Sequence, residues 1–137
     1  YQLAQAAAKR ERETRAREHE AEAAARIIRL AQGQNPRLVR GDLVIDLLER
    51  RGERSGRAIP LLAREYALLL HLARHAGQPH SREDLLRSIW RLDFDPGTNS
   101  VEVHMSRLRA KLDRGHQWTM LRTVKGRGYM LDPGAGA

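Results

Sequence analysis

Hydrophobic positions along the 137-residue chain change their spacing several times, and each change marks a new element. Residues 1–31 are Ala, Glu and Arg-rich with no Gly or Pro, a helix-favouring composition. Glu11–Arg15, Glu13–Arg17 and Glu22–Arg26 add i,i+4 pairs in the better orientation. The heptad line through Leu3, Ala7, Arg10, Thr14, Arg17, Ala21, Ala24 and Ile28 is polar in its middle, unlike a strong coiled coil. The pattern predicts a solvated helix whose end (Ile27, Ile28, Leu30) packs on something, broken by Gly33 and Asn35-Pro36. A linker or piece of a larger protein is one reading of residues 1–36; a dimerisation helix giving a homodimer is the other.

From Leu38 to Ile59 short apolar runs alternate with Gly41, Gly52 and Gly56, which predicts three or four short antiparallel strands. Helical spacing then returns. Tyr66, Leu69, Leu70 and Ala73 share one face, and Gly77 with Pro79 ends the segment. In "SREDLLRSIW" Ser81 is a good N-cap, Asp84 stands where a capping box is answered, and Leu85, Leu86 and Ile89 follow as core. After the loop "RLDFDPGT", a third helix starts near Asn99, with the same cap-and-acid spacing to Glu102, and runs to about Asp113. "LRTVKGRGYML" gives two strands around a glycine-containing tip. Strands, three helices and a hairpin make an α+β winged helix-turn-helix, with an N-terminal antiparallel sheet and a C-terminal hairpin wing, preceded by a long helix. The expected division is 1–36, helical linker or extension; 37–133, winged-helix domain; 134–137, flexible tail.

Charge sharpens this picture. The chain carries a formal +8 and an isoelectric point near 10.9. Residues 1–36 and 37–98 each contribute +2, whereas 99–137 contribute +4, with only Glu102 and Asp113 opposing seven Arg/Lys within 99–127. A polyanion is the first partner to consider.

At 100° per residue, Val101, Met105, Leu108 and Leu112 form a narrow buried stripe on the third helix. Asn99, Ser100, Val103, Arg107, Ala110 and Arg114 collect opposite, flanked by His104 and Lys111. A valine amid basic and small residues suits a major groove. Arg107 can donate two bonds to guanine, Asn99 can pair with adenine or hold a phosphate, and Val103 can meet a thymine methyl. Ser106 and Ala110 permit close approach. The alternative is that Val103 belongs to a wider core face. In "KGRG", Lys125 and Arg127 would reach the backbone or an adjacent minor groove, or simply form a solvated tip. Arg82 and the Trp90 indole N–H can meet phosphates.

These stretches resemble a known family. "YALLLHLARHAGQPHSREDLLRSIW", "NSVEVHMSRLRAKL" and "LRTVKGRGYML" are similar to the OmpR/PhoB effector domain of two-component response regulators, and "LVRGDLVID" resembles its N-terminal sheet. The similarity covers roughly 37–132, and the Asn-Ser-Val-Glu-Val-His run looks like the PmrA- and QseB-like subgroup. The resemblance implies a transcription-regulating domain that binds double-stranded DNA at tandem direct repeats, the recognition helix 99–113 in the major groove and the wing 121–131 beside it. It implies contact with RNA polymerase through the loop 91–98. Base contacts would fall on Asn99, Val103 and Arg107. Phosphate contacts would fall on Arg82, Trp90, Ser100, His104, Arg109, Lys111, Thr123 and Tyr129, and wing contacts on Lys125 and Arg127. Helix geometry selects the base readers independently but sets Arg109 near the core margin. Leu62-Ala63 replaces the family's usual Thr-Pro, Asn99 a common Arg, and Ser106 another. No receiver domain is recognisable in residues 1–36.

Other chemistry is not expected. Without cysteine there is neither disulfide nor thiolate site. His71 and His75 have zinc-compatible i,i+4 spacing, but "HLARH" lacks the metalloprotease glutamate and an obvious third ligand, so they read as surface or core histidines. No phosphate loop, serine elbow or distinctive carboxylate pair suggests an enzyme, and no cofactor is expected. No signal peptide or membrane span is evident, so a cytoplasmic protein is expected. The competing reading is a winged-helix protein-interaction module without specific DNA binding.

Overall fold

The computed structural model describes residues 2–31 and 36–134, with the side chains of Gln2, Arg29 and Leu30 set aside. Gly33 and Asn35, expected to break the first helix, and most of the expected tail lie outside the described residues. The chain divides into two units between Pro36 and Arg37.

The first unit is one helix, α1 (Gln2–Ala31). Glu11–Arg15 and Glu22–Arg26 close at 3.7 and 2.7 Å. Such exposed pairs are individually weak, so much of the helix rests on its Ala-rich composition. Ile27 and Ile28, expected to pack, are instead 65% and 57% exposed.

The second unit begins with four strands, β1 (Arg37–Arg40), β2 (Leu43–Asp46), β3 (Arg51–Arg54) and β4 (Arg57–Ile59). They form an antiparallel meander in chain order. Leu43 and Ile45 of β2 point into the core, as the two-residue period requires. Gly41 and Gly56 sit at turns, but Gly52, expected at a break, lies within β3. A Cβ there would stand 3.2 Å from Leu61 Cδ1, so the missing side chain gives the sheet room against its neighbour.

Three helices follow: α2 (Ala63–Arg74), α3 (Arg82–Ser88) and α4 (Ser100–Asp113). Without Thr-Pro at its start, α2 uses Glu65, whose carboxylate accepts the Leu62 N–H at 2.9 Å. Ser81 caps α3 by accepting the Asp84 N–H at 3.1 Å, but the Asp84 carboxylate turns to Arg87 rather than completing a box. The hairpin β5 (Leu121–Val124) and β6 (Gly128–Leu131) closes the fold. Gly134, expected in the tail, donates its N–H to Asp132 Oδ1 at 3.0 Å.

Leu43, Leu69, Leu72, Leu85, Leu108 and Leu131 are fully buried in one core drawn from sheet, helices and hairpin. Arg54 joins them, only 2% exposed. Its guanidinium donates to Asp113 Oδ1 at 2.6 Å, to the Leu112 and Trp118 carbonyls at 3.0 and 2.6 Å, and to Asp42 at 3.1 Å. Asp113 also accepts the Met120 and Leu121 N–H groups at 2.8 and 3.1 Å. One buried cation therefore ties the sheet to the end of α4, and its aspartate partner ties that end to the start of the wing.

Candidate nucleic-acid interface

The inward side of α4 is the expected stripe: Val101, Met105, Leu108 and Leu112 are each 1% exposed or less. That stripe fixes the helix about its axis and decides what faces out. Asn99, Ser106, Arg107, Ala110 and Arg114 are exposed, and Val103 is half-buried between them rather than in the core. Asn99 occupies the N-cap position but makes no side-chain cap bond. The expected acid partner, Glu102, faces Arg82 instead, so the cap-and-acid reading is corrected. The Asn99 amide is left available at the head of the strip.

The head of α4 is braced from α3 and its following loop. Arg82 donates to Glu102 at 2.7 Å and to the Thr98 carbonyl, and its other nitrogen lies 2.5 Å from Asp95. Hydrogen bonding to Asp95 and then to Glu102 raises the Arg82 pKa, while the Arg82 guanidinium holds Asp95 below the ordinary carboxylate range. Trp90 donates its indole N–H to Ser100 Oγ at 3.0 Å and meets the His104 ring edge-on at 5.3 Å. His104 Nδ1 lies 2.7 Å from the Ser100 carbonyl. Farther along, Lys111 pairs with Glu65 at 2.5 Å. Burial alone would raise the Glu65 carboxyl, but Lys111 and the Leu62 N–H outweigh it and the pKa is lowered.

The wing is anchored on both sides. Arg109 reaches from α4 to the Leu121 carbonyl and Thr123 Oγ1 of β5, at 3.0 and 3.1 Å. On the other side, His80 and Tyr129 exchange backbone hydrogen bonds of 2.7 and 2.9 Å. This contact requires Gly128: a Cβ there would stand 1.9 Å from the His80 carbonyl oxygen, at φ +114°. Lys125 and Arg127 stand exposed at the tip around Gly126.

The sequence-nominated residues therefore separate into two groups. Arg82, Trp90, Ser100, His104, Arg109, Lys111 and Thr123 engage side-chain hydrogen bonds or ion pairs within the domain, whereas Tyr129 is held only through its backbone bonds to His80. Asn99, Val103 and Arg107 on α4, and Lys125 and Arg127 on the wing, carry no side-chain hydrogen bond or ion pair among the described residues. Arg114 is equally uncommitted and exposed. Its place on the outward face was visible in the helix period, yet the family pattern gave it no role. Glu65, Asp95 and Glu102 hold two of the nominated cations, Lys111 and Arg82; Glu65 and Asp95 carried no local signal, and Glu102 read as a cap partner.

Comparison with known proteins identifies the family and the fold. Residues 56–131 match the family described as "Transcriptional regulatory protein, C terminal". The transcriptional regulatory protein CusR of Escherichia coli K12 is 38% identical over 91 residues, 66% of this chain and 40% of that protein. The response regulator PmrA of Pseudomonas aeruginosa is 41% identical over 97 residues, 71% of this chain and 42% of that protein. The chain thus spans about two-fifths of the length of these relatives. Among solved structures, the DNA-binding domain of Klebsiella pneumoniae RstA in complex with the RstA box aligns with TM-score 0.64 and 32% identity, over 72% of this chain and 98% of that one. The DNA-binding domain of Escherichia coli CpxR aligns with TM-score 0.64 and 33% identity, over 73% and 99%. From the sheet to the wing, the chain belongs to the C-terminal domain family of OmpR/PhoB-type transcriptional regulatory proteins.

Proposed function

We propose that this domain binds double-stranded DNA sequence-specifically and thereby regulates transcription, with α4 in the major groove and the wing at the adjacent minor groove or backbone. The observation that carries this reading is the outward strip of Asn99, Val103 and Arg107. It is uncommitted to any partner within the domain and held beside the wing by Arg109. A similar domain in Klebsiella RstA is described in complex with its DNA box.

Asn99, Val103 and Arg107 then read bases. Lys125, Arg127 and Arg114 supply charge to the backbone. Ser100 and Thr123 accept bonds from Trp90 and Arg109 but keep their own hydroxyl hydrogens for phosphates, whereas the His104 Nδ1–H is spent on the Ser100 carbonyl. Arg82 and Lys111 contact phosphate only by exchanging a carboxylate partner, so they serve first as braces. The loop 91–98 presents Phe94, 65% exposed, as the contact for RNA polymerase. Binding of two copies head to tail would read tandem direct repeats. No described helix is long and apolar enough to cross a membrane, and the reading places the protein in the cytoplasm with its DNA.

Selection from a random-sequence duplex pool, followed by binding at several salt concentrations, tests the proposal. A preferred site, with log K falling linearly against log salt, is expected. Enrichment of no sequence, or an affinity indifferent to salt, would leave the protein-interaction alternative standing.

A further inference from the structure

The two flanks of α4 are not equally supplied with charge. At 100° per residue, Ser100, His104 and Lys111 lie on one side of the outward strip, and Glu102, Ser106 and Arg109 on the other. The second side is the wing side: Arg109 bonds β5, and Lys125 and Arg127 stand exposed at the wing tip. On the first side Lys111 is closed on the buried Glu65 at 2.5 Å. Ser100 and Trp90 are neutral and bonded to each other. An α-helix about 10–12 Å across fills a major groove about 12 Å wide. Both phosphate backbones then come within reach of its flanks.

The fold brings another cation to the depleted side. Arg64 lies in the first turn of α2, one residue before Glu65. Its guanidinium sits over the Trp90 ring, 5.0 Å from the centroid, and donates from Nη1 to the Ile89 carbonyl at 3.1 Å. Trp90 in turn meets His104 edge-on and donates to Ser100 Oγ. A chain of contacts thus runs from Arg64 to the head of α4. Arg82 and Lys111 are half-buried and each closed on a carboxylate. Arg64 is exposed and pairs with no carboxylate among the described residues. The neighbouring Glu65 is fully buried and engaged by Lys111. Stacking on an indole holds a guanidinium in place without spending its N–H groups, and one bond to Ile89 leaves several of them free.

We propose that Arg64, held over the Trp90 ring, contacts a DNA phosphate on the side of α4 away from the wing, so that the domain grips the backbones on both edges of the major groove. The inference rests on the DNA reading above and adds a second anchoring point to it, contributed by α2. As a backbone contact, Arg64 adds affinity and fixes the register of α4 but carries no base preference.

The duplex enriched from the random pool is the probe that tests this. Arg64→Gln removes the charge from an exposed side chain. It should weaken binding to enriched and random duplexes alike, by roughly three- to tenfold, and lower the slope of log K against log salt by about 1. Arg64→Lys should restore the slope. A lost brace would also weaken binding, so the duplex is scanned with single methylphosphonate linkages. One uncharged linkage should cost the unsubstituted chain affinity and cost Arg64→Gln nothing further. It should lie across the major groove from the linkage that behaves this way for Lys125→Ala. An unchanged slope, or the absence of such a linkage, would reduce Arg64 to a brace of α3 and overturn the proposal. Losses for Arg107→Ala and Lys125→Ala with none for Arg64→Gln would overturn it and leave the DNA reading intact. Failure of the unsubstituted chain to bind any duplex would remove both.

Discussion

Arg109 and Thr123 are joined by a 3.1 Å hydrogen bond from guanidinium to hydroxyl, and the same guanidinium donates to the Leu121 carbonyl at 3.0 Å. One side chain thus sets the spacing between the helix and the wing that are proposed to straddle a groove edge. Arg109→Met keeps most of the bulk and loses both bonds. Each is worth about 0.5–1.5 kcal/mol net. We expect affinity for specific and random duplexes to fall together, by roughly three- to tenfold, in fluorescence anisotropy. Undiminished binding would show that the wing keeps its place without this link.

Arg107→Ala should behave differently. Removing a bidentate base contact costs about 1–3 kcal/mol on the preferred site and relaxes discrimination at one base pair. Lys125→Ala should weaken all duplexes similarly and lower the salt slope by about 1. Competition binding against single-base variants of the site separates the two. An Arg107→Ala loss that is equal on specific and random DNA would demote Arg107 to a phosphate contact.

The Glu65–Lys111 pair gives a pH signature. Glu65 is fully buried and its carboxyl pKa is lowered in the folded protein. A group depressed on folding adds stability above its unfolded value, 4.5, and that stability is lost as pH falls through the folded value. Glu65→Gln keeps the shape and an acceptor for the Leu62 N–H but removes the charge facing Lys111. It should destabilise by about 1–2 kcal/mol at neutral pH, and the gap from the unsubstituted protein should narrow as pH drops below 4.5. Urea midpoints taken from pH 7 down to 3 measure it; a gap constant across that range would assign the loss to packing instead.

Arg54→Ala should be the most damaging of these substitutions. It strands the buried Asp113 carboxylate and removes donors from two carbonyls at the junction of sheet, α4 and wing. Breaking one side of a buried pair costs about 3–5 kcal/mol. Chemical denaturation would reveal it, and a shift below about 1 kcal/mol would mean that water replaces the guanidinium without penalty.

The sequence by itself determined everything that depends on local period. Val101, Met105, Leu108 and Leu112 had to share a face because a helix turns 100° per residue, so Asn99, Val103 and Arg107 had to share the opposite one. Glycine placement and alternation likewise pointed to three or four strands and the hairpin, although Gly52, read as a break, lies inside a strand. What only the tertiary structure decided is which of those charges remain uncommitted. Glu102 looked like a cap partner for Asn99 but binds Arg82, 20 residues earlier. Lys111 looked like a phosphate contact but meets Glu65, 46 residues away. Arg54, which nothing in the sequence singled out, is buried against Asp113, 59 residues on. His80 packs its ring on His71 and His75 from a different segment. Period fixes the direction of a side chain from its own backbone; its partner is fixed by which other segment packs there, and that follows from burying the common core.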